Sequence, residues 1–139
     1  ASVVAGEAMP AGGENIAGAG AFTEALAQQV LGVVQPDMAK WGGFSGCLPV
    51  ARAIRAAGQR FCPHYLGGGI GLLASAHLLA AAGGDGLLEI DANPNPLRTR
   101  LCGPLTSITG GRATLTMAPG LGIEPNLAEL SEFLVPHAT

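Results

Sequence analysis

Charge is scarce in this chain of 139 residues: 12% are charged, Lys40 is the one lysine, and the formal net charge is −3. Nothing here can form a basic stripe along a phosphate backbone, which excludes nucleic acid as a partner. Long apolar runs are missing too. The longest, Ile70 to Ala82, is broken by Gly71, Ser75 and His77 and is too short to cross a bilayer, so no membrane partner is expected. The N-terminus has no initiating Met, no basic segment and no signal-like apolar core, and reads as a cut chain. Cys47, Cys62 and Cys102 are odd in number and lack metal-site spacing, as expected of reduced thiols in a cytoplasm. Against this low charge stand 48% hydrophobic residues. Much of the surface is therefore expected to pack against something, and a homo-oligomer is expected.

What is present is a rhythm. Four ionisable residues, Glu14, Asp37, His64 and Glu89, each end a short apolar segment and recur at nearly even spacing. A helix-like stretch fills each gap. This is the order of strand, loop, helix, strand in an α/β fold, with one ionisable side chain at the carboxyl end of every strand. In a parallel (β/α) barrel those ends open onto one face, where the chemistry is done. A complete eight-stranded barrel takes about 250 residues, so this chain holds enough for one domain but only part of such a barrel.

The elements follow from spacing and punctuation. Ala8 to Gly12 reads as a short strand leading to Glu14, and Phe22, Ala25, Leu26 and Gln29 give a helix over roughly 20–29. Leu31 to Gln35 is a buried-strand pattern, ended by Pro36 and followed by Asp37. The glycines after Trp41 mark a tight turn. Ser45 is placed to cap the next helix, with Pro49 in its first turn, an apolar face of Val50, Ala53, Ile54 and Ala57, and Gly58 as its stop. Arg60 to Pro63 is the third strand. A further helix runs from Leu72 to the Gly83-Gly84 stop, and Gly86 to Ile90 is the last strand.

After Asn93-Pro-Asn-Pro96 the alternation ends. Leu105 to Ile108, the Gly110-Gly111 pair and Arg112 to Met117 predict a β-hairpin. Pro119 to Gly122 is a rigid loop, and Leu127 to Phe133 a short terminal helix. This tail is too small to bury a core of its own and is expected to lie against another module.

Together, Gly-Gly-Glu14-Asn, Gln-Pro-Asp37-Met-Ala-Lys40-Trp-Gly-Gly, Pro-His64, Leu-Glu89 and Pro119-Gly-Leu-Gly122 resemble the enolase superfamily. Within it they are similar to the mandelate racemase and muconate lactonizing enzyme type, in particular the mandelate racemase branch with its acid-sugar dehydratases. The likeness runs from about Met9 to Phe133. It implies the C-terminal portion of a modified (β/α)7β barrel. Residues 1–97 would supply its last four strands, and residues 98–139 a hairpin and helix against an N-terminal capping domain.

The resemblance also implies a chemistry. Removing the proton next to a carboxylate creates an enediolate, and Mg²⁺ together with a Lys or His base makes that possible in this superfamily. Glu14 then takes the place of one of three carboxylate metal ligands. Asp37 and His64 match the Asp–His dyad, in which the carboxylate fixes the ring tautomer and aims its other nitrogen at the substrate. Glu89 matches the acid that hydrogen-bonds a substrate carboxylate oxygen. The substrate implied is a small carboxylate, a hydroxy acid or acid sugar. The activity is that of a lyase, a dehydratase, with a racemase or epimerase, that is an isomerase, as the alternative. A second alternative is a non-catalytic fragment that needs a complementary chain.

Competing residues have simpler readings. Glu7 stands farther from Asp37 than the family-like spacing that Glu14 keeps, as a solvated carboxylate would. Asp91 shares the strand alternation of Glu89 and is the runner-up for its role. In another branch of the superfamily a lysine replaces the Asp as base, but Asp37 holds that position, leaving Lys40 a supporting or surface charge. His77 lies on an apolar helical face, His137 in a tail, and Cys62 reads as small-residue packing. The other two carboxylate ligands and the second-strand Lys of the superfamily have no match here. The isolated chain is accordingly expected to be inactive without the N-terminal half of the same enzyme or a complementary chain.

Overall fold

The computed structural model describes residues 8–135. Three parallel strands, β1 (Ala11–Gly12), β2 (Val33–Val34) and β3 (Arg60–Phe61), lie in sequence order, joined by helices α1 (Ala19–Gln28) and α2 (Gly43–Ala56). Helix α3 (Gly69–Ala82) follows β3, and α4 (Pro96–Leu101) begins the tail. The register pairs Ala11 with Val33 and Val33 with Arg60. Backbone pairing runs past the named strands: Cys62 N donates to Val34 O at 3.1 Å and His64 N to Pro36 O at 3.1 Å. Period-two alternation puts Val34, Pro36, Phe61 and Pro63 on the helix-covered face, where all four are buried, and turns Asp37 and His64 the other way.

The helices cover that face through one apolar cluster, in which Phe22 of α1, Cys47, Val50, Ala51 and Ile54 of α2, and Leu78 and Ala82 of α3 surround Val34 and Phe61. Helix α2 starts two residues before Ser45, because Gly42 at φ 77° turns the chain and Gly46 N bonds to Gly42 O at 2.7 Å. Pro49 therefore lies inside the helix rather than in its first turn. It is exposed, so its missing N–H strands only a carbonyl that water can reach. The stop at Gly58 holds. Gly58 N bonds to Arg55 O at 3.0 Å and Gln59 N to Ile54 O at 3.1 Å, the paired bonds of a Schellman motif with glycine in the left-handed position.

Helix α3 starts at Gly69, three residues before Leu72, and is apolar all round because it has a core on both sides. Its second side, Leu72, Leu73 and Ala76, packs against Cys102 and Leu105, flanked by Tyr65, Leu115, Leu121 and Ile123. The tail thus lies on α3 of its own chain. Helix α4 spans the boundary expected between residues 97 and 98. It is capped by Asn95, whose side chain accepts from Arg98 N at 3.1 Å, with Pro96 at its first position. Its backbone comes so close to α3 that a Cβ on Gly69 would overlap Arg98, Leu101 and Cys102.

Two expected elements take other forms. Gly86 to Ile90 forms no ladder among the described residues. Alternate β3 residues donate to β2, so Pro63 falls on the side facing this segment and has no N–H to offer. Leu87 N bonds instead to Cys62 Sγ at 3.2 Å. The hairpin shrinks to one antiparallel bridge, Thr109 with Arg112, across Gly110 and Gly111 at φ 58° and 73°. Leu105, buried in a 3₁₀ turn over Gly103–Thr106, packs its segment onto α3 rather than into a ladder, and Leu115 packs against the same cluster. The terminal helix, Leu127–Phe133, is 3₁₀. Among the described residues no helix is long and apolar enough to cross a membrane.

All three cysteines are free and buried. Burial, with Asp37 nearby, pushes the Cys47 thiol from 9.0 up to about 11. Between those values the folded state holds a proton that the unfolded chain has released, so stability falls as pH rises through that window. Cys47 is expected to resist thiol reagents at pH 8 until the protein is denatured, as mass mapping of alkylated peptides will show. Replacing Leu105 with Ala is expected to cost about 2–5 kcal/mol, while Ile108→Ala, at an exposed site, should stay within about 0.5 kcal/mol. Denaturant unfolding checks both.

Candidate functional site

The register sets the centre of the site. The offset between β2 and β3, which pairs Val33 with Arg60, is the same as the separation of Asp37 and His64. Since the pairing continues to His64 N, the two residues stand side by side where their strands end. Asp37 is buried, at 6% exposure. One of its oxygens, Oδ1, accepts Ala39 N at 2.8 Å and Lys40 N at 3.3 Å, which closes the turn after β2. The other, Oδ2, lies 3.0 Å from His64 Nδ1. A carboxylate only accepts, so Nδ1 carries the proton and a neutral ring leaves Nε2 with its lone pair. Among the described residues Nε2 has no hydrogen-bond partner, and the His64 side chain is 13% exposed.

Glu14 reaches the same end of the sheet by a different route. The offset between β1 and β2, which pairs Ala11 with Val33, sets Asn15 rather than Glu14 level with Asp37. Gly13, at φ 113°, breaks the strand alternation just before Glu14, and a Cβ there would press on Gln35 N and Val34 Cγ1 at 3.4 Å. Glu14 is half-buried. Its Oε1 accepts Asn15 Nδ2 at 3.1 Å, and Asn15 Oδ1 accepts Lys40 Nζ at 3.0 Å. Asn15 was not singled out from the sequence, although it sits within the Gly-Gly-Glu14-Asn motif; the strand offset is the signal that finds it.

Among the described residues Glu89 makes no hydrogen bond to this group. It is half-buried on the segment that follows α3, and among the described residues its Oε2 is buried without a hydrogen-bond partner. Asp91 is engaged elsewhere, accepting Asn93 N at 3.0 Å and lying 3.2 Å from the buried Arg98 guanidinium. The Asn93 backbone bond, with Asn93's side chain and Arg98, holds the Asp91 carboxyl below the usual range against the opposing effect of burial. It braces the tail and is charged at neutral pH, which suits it poorly to Glu89's role as a proton-bearing acid. His77 Nε2 lies 3.2 Å from Leu121 O and ties the loop at Pro119–Gly122 to α3. Cys62 receives the Leu87 amide. Glu7 and His137 lie outside the described residues.

None of the four candidates lines either of two clefts among the described residues. One of about 540 Å³ lies between Ala76 and Ala80 of α3, Gly86–Leu88 and residues 111–115. Another, of about 310 Å³, is lined by Asp91, Arg98 and Cys102. Among the described residues no three His, Cys, Asp or Glu side chains converge to hold a metal ion. Glu14 nonetheless fits a hard divalent cation as one ligand of several. It is a carboxylate, and only Oε1 takes a hydrogen bond among the described residues.

Known proteins share this fold. A family model described as "Enolase C-terminal domain-like" matches residues 6–130. A D-galactarolactone cycloisomerase of Agrobacterium fabrum is 33% identical over 98% of this chain, and an arabinonate dehydratase of Saccharolobus solfataricus is 30% identical over 73%. The chain spans 38% and 27% of those two proteins. The crystal structure of a mandelate racemase/muconate lactonizing enzyme from Bordetella bronchiseptica RB50 superposes with a TM-score of 0.83. It is 66% identical, and the match covers 88% of this chain and 35% of that one. A mandelate racemase/muconate lactonizing enzyme-like protein from Roseovarius sp. TM1035 gives a TM-score of 0.73 at 26% identity, covering 88% of this chain and 31% of that one. The chain is thus part of a (β/α) barrel and belongs to the enolase C-terminal domain-like family.

Proposed function

We propose that this chain is the proton-transfer half of a Mg²⁺-dependent enzyme that dehydrates an acid sugar. The observation that carries the reading is the Asp37–His64 contact at 3.0 Å, held in register at the ends of two neighbouring parallel strands. His64 Nε2 takes the proton from the carbon next to the substrate carboxylate, giving an enediolate. Asp37 keeps the ring in the tautomer that leaves Nε2 basic and stabilises the imidazolium that results. The same nitrogen then returns a proton to the departing β-hydroxyl. Such positioned proton transfer contributes about 10²–10⁴-fold.

Glu89 donates to a substrate carboxylate oxygen, which gives its buried, unpartnered oxygen an occupation that the chain itself does not supply. Glu14 is one ligand for the divalent cation. What a cation bound there supplies is charge neutralisation at the substrate carboxylate. The remaining ligands come from the N-terminal half of the same enzyme or a complementary chain. In this reading residues 1–97 are the barrel sector, and the tail over 98–139 also meets a capping domain. Three buried free thiols suit a reducing compartment such as the cytoplasm.

A second reading is isomerisation, by racemase, epimerase or cycloisomerase chemistry, and it is favoured by the relative named as a cycloisomerase. Dehydration lowers the product mass by one water and isomerisation leaves it unchanged. Mass spectrometry of the full-length enzyme's products from a panel of sugar acids therefore separates the two.

His64→Asn in the full-length enzyme is expected to reduce turnover by about 10²-fold or more while leaving Mg²⁺ affinity nearly intact. Steady-state kinetics and calorimetric titration test this, and substantial residual turnover would assign the base elsewhere. With Glu14 as its one carboxylate ligand, the 139-residue chain alone is expected to bind Mg²⁺ weakly and to turn over none of the sugar acids. Tight binding or measurable dehydration would show a complete ligand set within it.

A further inference from the structure

We propose that Lys40 is a positioning residue for Glu14, acting through the side-chain amide of Asn15. This rests on the reading of Glu14 as a metal ligand. The amide lies between two opposite charges: its Oδ1 accepts Lys40 Nζ at 3.0 Å and its Nδ2 donates to Glu14 Oε1 at 3.1 Å. An ammonium can only donate and a carboxylate can only accept. The two charges therefore fix which way the amide faces, because the flipped amide would set oxygen against carboxylate and NH₂ against ammonium. The stem of Lys40 is located in turn by Asp37, whose Oδ1 accepts the Lys40 backbone N–H at 3.3 Å while Oδ2 faces His64. One hydrogen-bonded chain thus links the loops after β1, β2 and β3, and joins the candidate ligand to the candidate base.

Lys40 and Asn15 are both exposed, and exposed charged pairs contribute little to stability. The purpose of the chain is therefore orientation, and its loss should appear in ligand binding rather than in the melting temperature. Losing Lys40 has two opposed effects on a bound cation. The amide loses the anchor at its oxygen and can swing away from Glu14, which weakens binding, and a repelling positive charge disappears, which strengthens it. A double-mutant cycle separates them.

In the full-length enzyme, with Mg²⁺ alone titrated by calorimetry, Asn15→Leu is expected to weaken binding about 10-fold, in the range usual for the partners of metal ligands. Lys40→Met is expected to weaken it about 3–10-fold in the parent enzyme, but to leave it unchanged or tighten it when Asn15 is already Leu. Lys40→Arg should restore most of the affinity, and all variants should melt with the parent. Equal effects of Lys40→Met in both backgrounds would overturn the proposal. Glu14→Gln, measured beside them, separates the two levels. If it leaves Mg²⁺ affinity unchanged, the metal-ligand reading falls and the relay with it. If it abolishes binding while the cycle is additive, only the role of Lys40 falls.

Discussion

The parallel pairing of β2 with β3 is the constraint on which the rest of the site depends. Each strand is only two residues long, yet the backbone bonds continue through Cys62 and His64 to Val34 and Pro36. That continuation carries register, and not just proximity, out to the residues where chemistry is done. Two side chains far apart in sequence meet because their separation equals the strand offset. The contact is then sharpened locally, since Ala39 and Lys40 N–H groups occupy one oxygen of Asp37 and leave the other for the ring. A carboxylate held by backbone donors cannot swing away when the imidazole is neutral.

Helix α3 is the second organising element. One side closes the core beneath the sheet and the other receives the tail. Arg55 of α2 reaches the carbonyl of Ala82 at its C-terminus, where a cation is favourably placed against the helix dipole. The N-terminal end of the helix meets the α4 backbone at Gly69. The helix is therefore fixed at both ends by groups that come from different parts of the chain. Tyr65, one residue past His64, lies against the tail-side cluster, so the packing of the tail extends to the neighbour of the candidate base.

The sequence disclosed most where one period dominates. The helices, the Gly58 stop and the three paired strands follow from apolar spacing and punctuation, and the meeting of Asp37 with His64 is readable because both close strands of the same rhythm. Glu14 was legible as a residue but not as a geometry, because Gly13 in a positive-φ conformation removes it from the strand alternation. What could not be read are features decided by competition between distant segments. Arg112–Met117 has strand-forming residues, yet its expected partner strand is taken by α3 through Leu105. Gly86 to Ile90 has a strand's composition but meets a neighbour whose proline gives no donor. Asn15 and Lys40 look like ordinary surface residues until the loops that carry them are brought together.

Pro63 has a consequence for folding as well as for the site. Its neighbours Cys62 and His64 are the residues that donate to β2. Were β3 to pair one residue out of step, the donor required in the middle of the ladder would be Pro63, which has none. The same slip would carry every side chain of β3 to the opposite face, burying His64 against the helices and presenting apolar residues where the imidazole belongs. The ring beside the candidate base thus disfavours a one-residue slip, which would keep the sheet but lose the dyad.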